Sequence, residues 1–184
     1  MQCAFFNEIA SYDFGPLTNP SKDYKLQDTQ HGDEYVFNFC KYATNPCNQS
    51  SKFTYAYTQK MTTGKECEFL TDVVSGAHVQ STITQLNYEN GTILYDQQIV
   101  EFTQGGGYLC EGEPAKITFE LICDKNGNAS VIPDEKKMAL NASNKCHPTV
   151  TFTHKAGCSK YIMESSGWSH DPIEEARLLY ATNY

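Results

Sequence analysis

No stretch of this chain approaches the ~20 consecutive apolar residues that a membrane-crossing helix needs. Its opening, Met1-Gln2-Cys3, also lacks the basic and apolar regions of a signal peptide. Basic residues are few: 14 Lys plus Arg stand against 22 Asp plus Glu, a formal net charge of -8, and no basic run occurs. Without clustered cations nothing neutralises a phosphate backbone or an anionic bilayer, so nucleic acid and charged membrane surfaces are poor partners. Missing too are a long helical period before residue 160, an internal repeat and a low-complexity linker. No Ser or Cys stands in a nucleophile elbow beside any of the five histidines, so no enzyme is expected. Gly105-Gly106-Gly107 is not followed by Gly-Lys-Ser/Thr. That removes a phosphate loop and leaves a turn that lets backbones approach closely.

What the chain does have is cysteine and glycan acceptors. Eight cysteines, Cys3, Cys40, Cys47, Cys67, Cys110, Cys123, Cys146 and Cys158, lie among four Asn-x-Ser/Thr sequons at Asn48, Asn90, Asn128 and Asn141. An even cysteine count beside so many sequons fits an oxidising compartment, where thiols pair and surface loops carry N-linked glycans. The expected location is extracellular or the lumen of the secretory and endolysosomal pathway. The start is then expected to be that of a mature form or of an excised ectodomain, with any signal already removed. At 184 residues the chain is long enough to bury a core of its own.

Short segments rich in Tyr, Phe, Val, Ile and Thr alternate with Gly, Asn, Asp and Pro clusters. Glu34–Cys40, Lys52–Thr58 and Lys116–Cys123 each alternate with period two, the signature of half-buried strands. Asn90-Gly91, between Leu86–Tyr88 and Thr92–Tyr95, predicts a hairpin, because both residues tolerate positive φ. Further strands are expected at Gln98–Thr103 and Thr149–His154. The predicted body, residues 1–160, is all-β, a sandwich or flattened barrel. Residues 161–184 form a separate extension. Asp171-Pro172-Ile173-Glu174 has the acid, proline and carboxylate of a helix start, and Ile173, Ala176 and Tyr180 share one face. This short helix either packs on its own domain or, over residues 165–184, docks on a neighbouring molecule.

Five segments in order carry a resemblance. They are Tyr12-Asp-Phe-Gly-Pro-Leu17 after Cys3, Tyr35-Val-Phe-Asn-Phe-Cys40, Phe102 with Gly105-Gly-Gly-Tyr-Leu-Cys110, Ile117–Cys123, and Cys146–Cys158 with its Ala-Gly-Cys ending. Across residues 3–158 the chain resembles the mannose 6-phosphate receptor homology domain. The resemblance implies a disulfide-bonded flattened β-barrel or sandwich with the pairs Cys3–Cys40, Cys47–Cys67, Cys110–Cys146 and Cys123–Cys158. Sequence alone leaves 105 pairings open.

Sugar-binding members of that family hold mannose with Gln, Arg, Glu and Tyr. The resemblance puts the Arg position at Ala115 and the Tyr position at Pro148, both without a polar group. Lys116 is one residue away but on the opposite face of a strand. Glu135 is the nearest candidate acid, and Gln80, Gln85 and Gln104 compete for the glutamine role. Losing two hydrogen-bonding groups of four, at about 1.5–3 kcal/mol each, leaves no useful monosaccharide site.

Two stretches carry metal-like spacing. Cys146, His147, His154 and Cys158 have zinc-like spacing, but the same cysteines fit the cystine pattern. Asp124, Asn126, Asn128 and Ser130 with Glu135 partly match a calcium loop, yet the glycine at its sixth place is missing and Asn128 is a sequon. No metal or cofactor is expected. The expected function is a non-catalytic glycoprotein module for protein contact or self-assembly. The alternative is a lectin or sorting-receptor ectodomain that binds mannose-type glycans through an altered site.

Overall fold

Alternation of large apolar with polar residues builds two sheets whose apolar faces close on one another. The computed structural model describes residues 3–6, 11–44, 54–63, 67–71, 78–83, 86–89, 92–95 and 98–159. In chain order the strands are β1 (Ala4–Phe6), β2 (Ser11–Asp13), β3 (Tyr24–Asp28), β4 (Asp33–Phe37), β5 (Ala56–Lys60) and β6 (Cys67–Phe69). They continue as β7 (His78–Ile83), β8 (Leu86–Glu89), β9 (Thr92–Tyr95), β10 (Gln98–Cys110), β11 (Glu113–Cys123), β12 (Ala139–Asn141) and β13 (Thr149–His154). A four-stranded sheet runs β3-β4-β5-β6 and a five-stranded sheet runs β12-β13-β11-β10-β7. β1 pairs with β2, and β8 with β9. Among the described residues every pairing is antiparallel except β11 with β13.

The core lies between the two larger sheets. Tyr24, Leu26, Tyr35 and Phe37 point inward from one, and Ala115, Ile117, Phe119, Leu121, Val150 and Phe152 from the other. Their rings interlock: Phe37 and Phe119 have centroids 5.0 Å apart, Phe39 and Phe119 4.6 Å, and Phe39 and Phe152 5.8 Å. Such tilted contacts each add about 0.5–1.5 kcal/mol beyond area burial. The Tyr24 hydroxyl donates to Leu17 O at 2.7 Å, which satisfies a polar group that burial, reinforced by Glu135, holds far above the usual phenol range. On the opposite face of the four-stranded sheet Val36, Ala43, Tyr57 and Phe69 form a smaller cluster. Tyr108 reaches it from β10 and stacks on Phe69 at 5.1 Å.

β4 stops short of the expected Cys40, at Phe37. Asn38, fully buried, uses its amide as a clamp on the segment that leads into β3. Its Oδ1 accepts the N–H of Asn19 (3.1 Å) and Phe39 (3.0 Å). Its Nδ2 donates to Asn19 O (3.0 Å), Lys22 O (3.2 Å) and Asp23 Oδ1 (2.9 Å). Buried polar groups satisfied in this way rigidify a fold, and left unsatisfied they are costly.

β10 is much longer than expected, and Gly105–Gly107 lie within it rather than at a turn. The β10–β11 register slips between Gly105 and Leu109. A Cβ on Gly105 would lie 2.4 Å from Lys116 Cβ and 2.5 Å from Ala115 O, so the glycine admits the close approach of a bulged strand. The turn comes later, at Glu111-Gly112, where both residues have positive φ, 52° and 91°. That is the conformation a two-residue hairpin of right-handed twist requires. The hairpin predicted around Asn90-Gly91 corresponds to β8 and β9, with Glu89 opposite Thr92; Asn90 and Gly91 themselves lie outside the described residues. So does the helix expected after Asp171, along with the whole of the 161–184 extension. No helix among the described residues is long and apolar enough to cross a membrane.

Candidate functional site

Cystines frame the five-stranded sheet. Cys110–Cys146 ties the end of β10 to the segment entering β13, and Cys123–Cys158 ties the end of β11 to the turn leaving β13. Both ends of the parallel β11–β13 pair are therefore latched. Cys3–Cys40 joins the strand at the N-terminal side to the exit of β4. Cys67 is also disulfide-bonded, while Cys47, its partner in the expected pairing, lies outside the described residues. Cys146 and Cys158 belong to different cystines, so neither offers a thiolate to zinc. His147 Nε2 lies 3.0 Å from Pro114 O, and His154 Nε2 2.8 Å from Val131 O. Along the calcium-like stretch, Asp124 Oδ1 accepts the Asn126 N–H, Asn128 Oδ1 accepts the Ser130 N–H, and Glu135 is turned to Lys22. Asn128 and Asn141 are exposed; Asn48 and Asn90 fall outside the described residues.

The two positions that the resemblance assigns to sugar recognition sit on neighbouring chain segments, both out of contact with solvent. Ala115 is fully buried and Pro148 is buried. Lys116 N–H donates to Cys146 O and Thr118 N–H to Pro148 O, both at 3.0 Å, extending the parallel pairing past both positions. Lys116 is exposed, on the face away from Ala115. Gln104 pairs in register with Ile117 and Gln80 with Glu101, and Gln85 lies outside the described residues. Glu135 is elsewhere.

Glu135 instead lines a cavity of about 360 Å³ on the outer face of the four-stranded sheet. The alternation that sends Tyr24, Leu26 and Phe37 inward turns Lys25, Val36 and Tyr57 outward, and these three face one another across β3, β4 and β5. Lys22 and Asp23 at the entry to β3, Thr44 from the loop after β4, and Gln59 complete the lining with Glu135. Asp23 is held by the amide of Asn38 and by the N–H of Thr44. Lys22 Nζ lies 2.9 Å from Glu135 Oε1, off the line of a hydrogen bond, and among the described residues that buried oxygen has no other polar partner. Beside the cavity Glu34 Oε2 accepts from Gln59 Nε2 at 2.6 Å and from Lys25 Nζ at 3.3 Å. Tyr57 is 4% exposed. Burial, and then the charges of Asp23 and Glu34, push its phenol up to about 12. Of these residues only Glu135 stood out in the sequence. The alternation places Lys25, Tyr57 and Gln59 on one face, but no local pattern shows that the 41–44 loop and the 134–137 turn close over them.

This cystine-latched β sandwich defines a protein of the mannose 6-phosphate receptor type in fold, with apolar groups buried at the two positions that the resemblance assigns to sugar recognition. The family pattern of Autophagy-related protein 27 matches residues 1–173, so the chain belongs to that family. The family's name differs from the one expected from the cysteine-bounded segments, while the expected fold type agrees. No curated protein matches the chain.

Proposed function

We propose that the domain is a non-catalytic module of an oxidising compartment, working through contacts with protein rather than by holding mannose 6-phosphate. The observation that carries the reading is the burial of Ala115, within the apolar core, and of Pro148. A monosaccharide is recognised by placed hydrogen-bonding groups, and these positions offer a methyl group and a pyrrolidine ring, closed to solvent. Membership in an autophagy-related family supports a place in the endolysosomal branch of the secretory pathway, and the disulfides support an oxidising lumen or exterior.

The test uses the oxidised, glycosylated chain. Calorimetric titration with mannose and with mannose 6-phosphate should give no saturable heat, and crosslinking in the intact compartment should join the chain to a protein or to a second copy of itself. Saturable binding of either sugar overturns the reading, as does a chain that crosslinks to nothing.

A further inference from the structure

We propose that the cavity on the outer face of the four-stranded sheet receives an arginine side chain of a partner protein. The inference rests on the protein-contact reading and gives the partner's chemistry.

Three features point to a basic guest. The first is charge. Asp23, Glu34 and Glu135 stand in or beside the cavity against Lys22 and Lys25, and the two signs are not equally placed. Asp23 is 8% exposed, and the side chains of Glu34 and Glu135 are 15% and 25% exposed, whereas those of Lys22 and Lys25 are 66% and 54% exposed. The acids are the better buried groups, and the lysine stems reach further into solvent. A group that enters past them meets a negative interior in a setting less screened than open water. The charge of the whole chain, -8, favours encounter with a basic partner.

The second feature is unmet hydrogen bonding. Among the described residues the Tyr57 hydroxyl makes no hydrogen bond; the side chain is almost wholly buried, and the oxygen itself is not sealed from water. Glu135 Oε1 has only the misaligned Lys22 ammonium. A guanidinium presents five N–H donors in a planar fork, so it can serve a carboxylate and a phenol oxygen together; an anion could accept the phenol proton but would be repelled by the carboxylate, and an apolar guest would serve neither. The third is shape. Val36 and the Tyr57 ring give an apolar floor for a flat cation to lie on. About 360 Å³ lies at the lower end of the range typical of ligand pockets and admits one long side chain.

Lys22 is then an intramolecular competitor. It neutralises Glu135 in the free domain and swings into solvent when the guest arrives, which its exposure permits.

The experiment titrates the oxidised, isotope-labelled chain with an acetylated, amidated Gly-Arg-Gly peptide and with the same peptide carrying citrulline, reading amide and Tyr57 ring shifts by NMR. Saturable shifts centred on Thr44, Tyr57 and Gln59, given by arginine but not by its neutral isostere, are expected. Glu135→Gln should weaken binding about tenfold and Lys22→Met should strengthen it severalfold. Both sites are partly or well exposed, and unchanged thermal melts verify the fold. No shift with arginine, equal shifts with citrulline, or weakening by Lys22→Met overturns the proposal, the last because an anion site would need that lysine. A chain that crosslinks to a protein in its compartment yet ignores the arginine peptide refutes this inference alone and leaves the broader reading standing.

Discussion

Replacing Asn38 tests how much of the fold hangs on one buried amide. Its side chain joins Asn19, Lys22, Asp23 and Phe39, and none of those bonds is exposed enough for water to take over at no cost. Asn38→Ala leaves the Asn19 N–H and at least one carbonyl without a partner. At about 2 kcal/mol for each orphaned group the variant should lose about 4 kcal/mol. For a domain of this size that lowers the melting temperature by about 8–16 °C.

Asn38→Asp keeps the volume but turns two donors into an acceptor aimed at Lys22 O, Asn19 O and the Asp23 carboxylate. It should lose more than alanine at neutral pH. Like charge and burial raise the introduced carboxyl's folded pKa above its unfolded value of about 3.9. Its penalty is therefore complete above the folded pKa and fades as pH falls through it, when the proton restores a donor. Urea melts at about pH 7.5 and pH 5 measure this directly. An alanine variant within about 1 kcal/mol of wild type, or an aspartate penalty that is flat with pH, would refute the clamp.

Other perturbations have definite outcomes. Cys123→Ser with Cys158→Ser opens a loop of sequence separation 35 and should cost about 4 kcal/mol by chain entropy, seen as a lower urea midpoint than in the intact protein. Glu111 holds φ 52°, where a side chain strains the backbone. Glu111→Asn should raise stability by about 0.5 kcal/mol, and a lower melting temperature would show that its exposed ion pair with Lys145, 2.9 Å long, outweighs the relief. Burial works to raise the carboxyl of Asp28, but hydrogen bonds from the His31 ring and from the His31 and Gln30 amides win and hold it below the usual range. Its contribution to stability is therefore present above its unfolded pKa and lost as pH falls through the folded one. Asp28→Asn should flatten that acid limb, and an unchanged limb would refute the assignment.

The strands were legible where one face is buried and the other wet. Thr149–His154 matches β13 residue for residue, because Val150, Phe152 and His154 alternate with more exposed neighbours. β10 outran its expected end because glycines, read as a turn, can equally carry a bulged strand when a neighbouring backbone lies close. The Glu111-Gly112 turn carried a weak signal, since glutamate seldom takes positive φ. The cavity was largely illegible: it depends on the 41–44 loop and the 134–137 turn meeting the same sheet face from distant parts of the chain. Glu135 was conspicuous in the sequence, and its role had to wait for its neighbour Lys22.

The parallel union of β11 and β13 has a bearing on how the molecule comes into being. Parallel partners far apart in sequence find each other slowly, because the closure entropy falls due before the ladder rewards it. Here covalent bolts at either end hold the pair in register once made. Newly made chains will therefore mature at the tempo of thiol exchange, seconds to hours, and a wrong cross-link among these four sulfurs strands β13 outside the sheet. Yield, more than equilibrium stability, then answers to the isomerases and oxidants of the compartment that receives it.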